Sequence, residues 1–246
     1  DEHYENSGMH ANTEADVEAW VSEAQADDLR RYQFLKDKLT NKEVLDFGCG
    51  KGFDSLKLLK SGATVYGIDI AENYIKESIE LAKKNGFSED TFKFQVMDAH
   101  HLEFEDDKFD LVIGNGILHH LDKELAIKSI YKVLKPGGRL VFKEPLADNP
   151  LLKIFRLLTP KARTIDEEPF SKKDLKHMID PKLWETNDMF FCGILSAPMA
   201  MITSILLPKY PNNLFLKISN FLEKKLNKFY FFQSWNQYCL INLKKK

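Results

Sequence analysis

The run Val44-Leu45-Asp46-Phe47-Gly48-Cys49-Gly50-Lys51-Gly52 constrains this chain more than any other stretch of its 246 residues. A short apolar segment leads into glycines at three alternate positions, and a helical pattern follows over 53–60. This is the pattern of a buried strand, a tight turn and a helix. The turn needs glycine because its backbone must bend sharply and let a ligand approach to van der Waals distance. A second apolar run, Thr64-Val65-Tyr66-Gly67-Ile68, ends in Asp69. A carboxylate at the end of a second strand is placed to accept hydrogen bonds from two ribose hydroxyls. Both features point to a ligand that contains adenosine.

The glycine spacing narrows the choice. The dinucleotide pattern G-x-G-x-x-G would need glycine at position 53, where the chain has Phe53. The pattern here is D-x-G-x-G-x-G, with Asp46 two residues before the first glycine. A carboxylate there repels a pyrophosphate and suits a cationic ammonium group. An ordered series follows. Phe92–Met97 reads as a strand and ends in Asp98-Ala99, and Phe109–Asn115 reads as a fourth strand followed by Gly116-Ile117-Leu118-His119-His120-Leu121. A helix over 123–134, the turn Lys135-Pro136-Gly137-Gly138 and a fifth strand, Arg139–Glu144, complete it.

In order and spacing, residues 40–145 resemble the class I S-adenosylmethionine-dependent methyltransferases of small-molecule type. The resemblance implies an α/β fold, a Rossmann-like, seven-stranded, mostly parallel sheet with helices on both faces and a helical acceptor-side cap. It implies S-adenosylmethionine as cofactor, with S-adenosylhomocysteine as product. The first loop would cradle the methionine part, Asp69 would hold the ribose, and Asp98 would accept from the adenine amino group. The cofactor-binding set is then Asp46, Gly48, Gly50, Gly52, Asp69, Ile70, Asp98, Ala99 and Asn115. The partner is a small-molecule acceptor, with a lipophilic one among the options.

In-line displacement at an activated methyl group asks the protein mainly to align two reactants and exclude water. A base is needed only where the acceptor must lose a proton. His120 is the first candidate and His119 the second, because both follow the C-terminal end of strand four, the edge where open α/β sheets hold ligands. Adjacent histidines cannot both face one pocket. Glu144 and Tyr4 are further candidates. No cluster has metal-ligand spacing, so no metal is expected.

A net charge of −2 gives no field for nucleic acid. The Asn-Pro-Pro-Tyr type of motif that marks many nucleic-acid methyltransferases is replaced by Asn115-Gly116-Ile117-Leu118. Three cysteines without disulfide or metal spacing suggest a reducing cytoplasm, and Cys49 reads as a small filler. The opening residues are polar and acidic, unlike a secretory leader. Two other readings remain. A NAD(P)-dependent oxidoreductase is disfavoured by Phe53 and Asp46, and a non-catalytic partner protein by the intact acids Asp46, Asp69 and Asp98.

The expected organisation is a helical lid segment over 1–40, the cofactor core over 41–145, and an acceptor-side insertion with C-terminal helices and last strands over 146–246. The insertion carries Arg156, Arg163, Asp166, Glu167 and Glu168, and Ser171 with Asp174 opens a short helix to about Ile179. Met189–Pro208 carries no charge, but Gly193 and Pro198 argue against a membrane span. It reads as a buried strand, Met189–Leu195, and a helix, Pro198–Leu207. An amphipathic helix over 213–227 would place Leu214, Ile218, Phe221, Leu222 and Leu226 on one face. The last strand is expected over Trp235–Leu243, with Lys244–Lys246 as a frayed, solvated tail. The helix pair could form an acceptor pocket, a dimer surface or a peripheral membrane contact. Oligomeric state is left open.

Overall fold

The computed structural model describes residues 39–150, 153, 157, 168–207, 210 and 213–246. The lid segment expected over 1–40, with Tyr4, lies outside these residues except for Leu39 and Thr40, as do Arg156, Arg163, Asp166 and Glu167.

Seven strands form one sheet in the order β3-β2-β1-β4-β5-β7-β6. The elements are β1 (Glu43–Phe47), α1 (Phe53–Lys60), β2 (Thr64–Asp69), α2 (Glu72–Lys84), β3 (Phe92–Val96), β4 (Phe109–Asn115), a 3₁₀ turn (Leu118–His120), α3 (Lys123–Val133) and β5 (Leu134–Pro145). The second half adds α4 (Lys172–Met178), β6 (Trp184–Cys192), α5 (Ser196–Leu206), α6 (Leu214–Leu226), α7 (Tyr230–Gln233) and β7 (Tyr238–Lys245). Strands β1 to β5 are parallel, and β7 runs antiparallel to both β5 and β6.

The chain winds outward through β2 and β3, then returns to lay β4 on the other side of β1. That reversal opens a crevice at the carboxyl ends of β1 and β4. Strand residues alternate between two cores. Leu45, Phe47, Phe109, Leu140 and Phe142 pack with Ile127 and Ile130 of α3 on one face. Val44, Val65, Leu111, Ile113 and Val141 pack with Leu58 and Leu59 of α1 on the other. Both faces are covered, so the central strands read as continuous apolar runs.

α4 begins with the expected capping box. Ser171 Oγ accepts from Asp174 N at 3.2 Å, and Ser171 N donates to the Asp174 carboxylate at 2.8 Å. The Lys135–Gly138 turn becomes an irregularity inside β5: pairing moves from Phe109↔Leu134 to Leu111↔Arg139.

Four expectations are corrected. β6 runs over Trp184–Cys192 and not over Met189–Leu195, because it is the edge strand, where burial does not demand an apolar run, and because Gly193 at φ +96° ends it. α5 begins at Ser196, with Pro198 tolerated in the first turn. β7 runs over Tyr238–Lys245 and not over Trp235–Leu243, so the tail is not frayed. The buried Lys245 ammonium donates to the Asp107 carboxylate (2.8 Å) and to the carbonyls of Tyr131 (2.8 Å) and Leu134 (2.7 Å), at the C-terminal end of α3. A cation there complements the partial negative charge of the helix end. Finally, Leu214, Ile218, Phe221 and Leu222 do share a face of α6, but that face points to solvent. The buried face carries Leu216, Ser219 and Glu223.

Candidate active site

The loop between β1 and α1 is tied to the end of β2. Gly48 N and Cys49 N both donate to Ile68 O, at 3.0 and 2.8 Å. Gly50 N donates to Asp69 Oδ2 at 2.9 Å, and Ala71 N donates to Asp69 Oδ1 at 2.9 Å. Both carboxylate oxygens are thus tied to backbone N–H groups. Burial pushes the Asp69 carboxyl up from its usual value, opposed by hydrogen bonds from the Ala71, Gly50 and Ile70 backbone. Ile70, beside it, is 52% exposed and offers an apolar surface at the same edge.

The three glycines of the loop have different reasons to be there. A Cβ on Gly48 would lie 2.7 Å from Ile117 Cγ1, in the loop after β4, and one on Gly52 would lie 2.6 Å from Ser78 Cβ on α2. Those two are packing positions. Gly50 sits at φ +51°, and its Cβ would meet nothing within 4 Å. The space over Gly50 is open, as a ligand cradle requires. Asp46, 3% exposed, accepts from Ser55 Oγ of α1 at 2.5 Å, which fixes its carboxylate under the loop. The Cys49 thiol is pushed well up by burial, then by the charges of Asp46 and Asp69, so it is a poor nucleophile and serves as filler.

The ends of β3 and β4 close the arrangement. Met97 N donates to Asp69 O at 3.1 Å, which sets Asp98 beside the end of β2. Asp98 accepts from His100 N and from the His100 ring Nδ1, both at 2.9 Å. The His100 backbone bond, and then the ring, hold the Asp98 carboxyl below its usual value. His100 Nε2 in turn accepts from Asp122 N at 3.1 Å, so Nδ1 carries the proton. The imidazole bridges the loop after β3 to the N-cap of α3. Sequence reading missed this link. Ala99 packs partly buried against the core, and Asn115 is exposed at the last position of β4.

After β4 the chain turns around one acid. Glu144, fully buried at the end of β5, accepts from Ile117 N (3.1 Å), Leu118 N (2.9 Å) and His119 N (3.3 Å). Its Oε2 also lies 2.8 Å from His119 Nδ1. The carboxylate can only accept, so Nδ1 donates to it, which fixes the orientation of the ring. His119 is buried, and the half-buried His120 ring lies 4.0 Å from it, centroid to centroid. The expected cofactor residues and both histidines therefore gather at the carboxyl ends of β1 to β4. A cavity of about 330 Å³ beside Lys42, Asp110 and Lys135 lies at the opposite edge of the sheet, away from this constellation. Among the described residues no group of three or more His, Cys, Asp or Glu side chains is arranged to hold a metal ion.

Comparison with known proteins bears on family and fold. The family described as "Methyltransferase domain" matches residues 38–188. A ubiquinone biosynthesis O-methyltransferase of Coxiella burnetii is 33% identical over 115 residues, 46% of this chain and 48% of that protein. A demethylmenaquinone methyltransferase of Staphylococcus aureus is 37% identical over 132 residues, 51% of this chain and 52% of that protein. The chain thus spans about half the length of these curated relatives. Among solved structures, phosphoethanolamine N-methyltransferase 2 of Haemonchus contortus, in complex with S-adenosyl-L-methionine, superposes with a TM-score of 0.65 at 17% identity, covering 96% of this chain and 58% of that one.

Proposed function

The chain belongs to the methyltransferase domain family, and from that premise we propose that it moves the methyl group of S-adenosylmethionine to a small, lipophilic acceptor. The observation that carries the cofactor reading is the open space over Gly50 beside an Asp69 carboxylate already engaged by Gly50 N. S-adenosylmethionine, when bound, supplies a methyl group already activated on a sulfonium. Gly48, Gly50 and Gly52 would shape the cradle, with Asp46 placing negative charge beneath an ammonium group. Asp69 would take the ribose hydroxyls, Ile70 and Ala99 would flank the base, and Asp98 would accept from its amino group. Asn115, exposed at the end of β4, would complete the cofactor set.

For an acceptor that must lose a proton, the Glu144 contact favours His119 over His120. Glu144 fixes the tautomer and the ring, and His119 Nε2 takes the proton, with His120 packed as a wall. The ubiquinone biosynthesis and demethylmenaquinone methyltransferase relatives support a lipophilic acceptor. Three buried cysteines, none in a disulfide, support a reducing, cytoplasmic setting.

Titration calorimetry tests the reading. S-adenosylmethionine and S-adenosylhomocysteine should bind and NAD should not. Asp69→Asn should weaken binding by about 1.5–3 kcal/mol, the scale of a hydrogen bond to a charged group. Binding of NAD with no binding of either adenosyl compound would overturn it.

A further inference from the structure

The outward face of α6 and α7 is built against the ordinary preference of an amphipathic helix. Leu214 (68% exposed), Phe215, Ile218, Phe221 (57%) and Leu222 project from α6 into solvent, and Phe229, Tyr230 and Phe231 continue the surface. The inward face is held by Glu223. Its carboxylate accepts from Gly193 N (3.0 Å), Leu195 N (2.9 Å), Ser196 N (3.0 Å) and Ser196 Oγ (3.0 and 3.1 Å), at the start of α5. A buried anion on these N–H groups complements a helix N-terminus and fixes the rotation of α6 about its axis. The clamp keeps the apolar residues outside.

Charge identifies the occupant. From Met189 to Lys228 the sequence holds five lysines and a single acid, the buried Glu223, in a chain whose net charge is −2. Lys217, Lys224, Lys225 and Lys228 are exposed on or just after α6. Lys225 Nζ lies 4.7 Å from the Phe221 ring centroid, and Lys172 Nζ lies 4.5 Å from that of Tyr230, so the aliphatic stems run along apolar surface while the ammonium heads stay at its border. Exposed Leu, Ile and Phe bordered by lysines and aromatic rings match the headgroup boundary of an anionic bilayer. A second copy of the chain would set like charges against like. Among the described residues no helix is long and apolar enough to cross a membrane, so contact would be with the surface.

We propose that the outer face of α6 and α7 docks the protein on the surface of an anionic lipid bilayer. The proposal does not depend on the chemistry assigned to the carboxyl edge of the sheet. Flotation of the full chain with phosphatidylcholine vesicles, with and without phosphatidylglycerol, tests it. The protein should float with anionic vesicles at low salt, with binding falling at high salt and weak on pure phosphatidylcholine. The pair Ile218→Ser and Phe221→Ser should weaken binding by about tenfold or more, as should Lys224→Glu with Lys225→Glu, with melting temperatures near wild type for both. The proposal is overturned if the wild-type chain stays at the bottom of the anionic gradient, or if both double variants float like wild type. It is equally overturned if sedimentation shows a dimer that the Ile218→Ser, Phe221→Ser pair dissociates, which would make the face a contact between copies.

Discussion

Gly50→Ala and Gly52→Ala make the same chemical change two residues apart, at φ +51° and +81°. Both incur the left-handed penalty of an L-residue, about 1–2 kcal/mol. Their surroundings differ. The new methyl at position 50 meets nothing within 4 Å, whereas at position 52 it lies 2.6 Å from Ser78 Cβ and 3.0 Å from Ser78 Cα. Ser78 is buried on α2, and its hydroxyl donates to Ile75 O at 2.9 Å, so relief requires moving backbone. Overpacking of that kind adds about 1–3 kcal/mol. Gly50→Ala should therefore cost about 1–2 kcal/mol of stability and Gly52→Ala about 2–5 kcal/mol. At about 2–4 °C per kcal/mol for a chain of this size, the melting temperatures fall by about 2–8 °C and about 4–20 °C. Binding should rank the other way. A methyl pushed into the cradle costs a ligand about 1–3 kcal/mol, or about 5–150-fold in Kd for S-adenosylhomocysteine, while Gly52→Ala, measured below its melting temperature, stays within about threefold of wild type. Differential scanning fluorimetry and calorimetry read the two scales. Wild-type affinity in Gly50→Ala, or a larger loss of stability at position 50 than at 52, would refute the assignment of open space to the ligand.

Three further outcomes follow from other parts of the molecule. With an acceptor that must be deprotonated, His119→Ala should lower kcat by about 10²–10⁴, while cofactor affinity holds and His120→Ala loses less; equal losses at the two positions would remove the Glu144 argument. Burial alone would raise the Asp110 carboxyl, but hydrogen bonds from Lys135 and Lys42 bring it below 3.8, so its stabilisation is present above the unfolded pKa and is lost as pH falls through the lower, folded value. Acid melts should thus show Asp110→Asn less stable than wild type at neutral pH, by about 1 kcal/mol, with the difference vanishing in strong acid. Glu223→Gln should cost about 2–4 kcal/mol in urea melts, because the amide replaces a carboxylate facing several donors, while Phe221→Ser stays within about 0.5 kcal/mol. The reverse ranking would mean that the apolar face of α6 is the buried one.

What could be read from the sequence follows from where information is local. The Gly48–Gly52 loop, the acid at Asp69 and the apolar runs of β1, β2 and β4 announce themselves because burial on both faces leaves a strand no polar choice. The box at Ser171 and Asp174 is legible because both partners lie within one helical turn. His100 was not legible, since its meaning comes from Asp122 on another loop. Glu144 could be placed at a strand end, but not as the acceptor for three consecutive backbone N–H groups after β4. Lys245 reads as tail until β7 is paired with β5 and β6, which carries its ammonium to the end of α3.

The C-terminal half fails for a more specific reason. Helical periodicity identifies two faces of α6, and the hydrophobic effect says that the apolar one goes inside. That inference assumes that the polar face has no better partner. Here it has one: Glu223 finds Gly193 N, Leu195 N and Ser196 N at the mouth of α5, donors that would otherwise lie buried and unmet. Leaving several buried N–H groups unpaired costs about 1–3 kcal/mol each, and a buried carboxylate without donors costs more still. Exposing the apolar residues of α6 forfeits part of about 1.5–3 kcal/mol for each of them. The structure keeps the polar clamp, and with it Phe221 and its neighbours face outward. An apolar surface held in the open by a buried charge persists without a partner, and lysines on the same helix give it a preference among partners. The single acid of α6 therefore acts twice: its burial orients the helix, and its removal from the surface leaves the exposed charges of that helix all lysines.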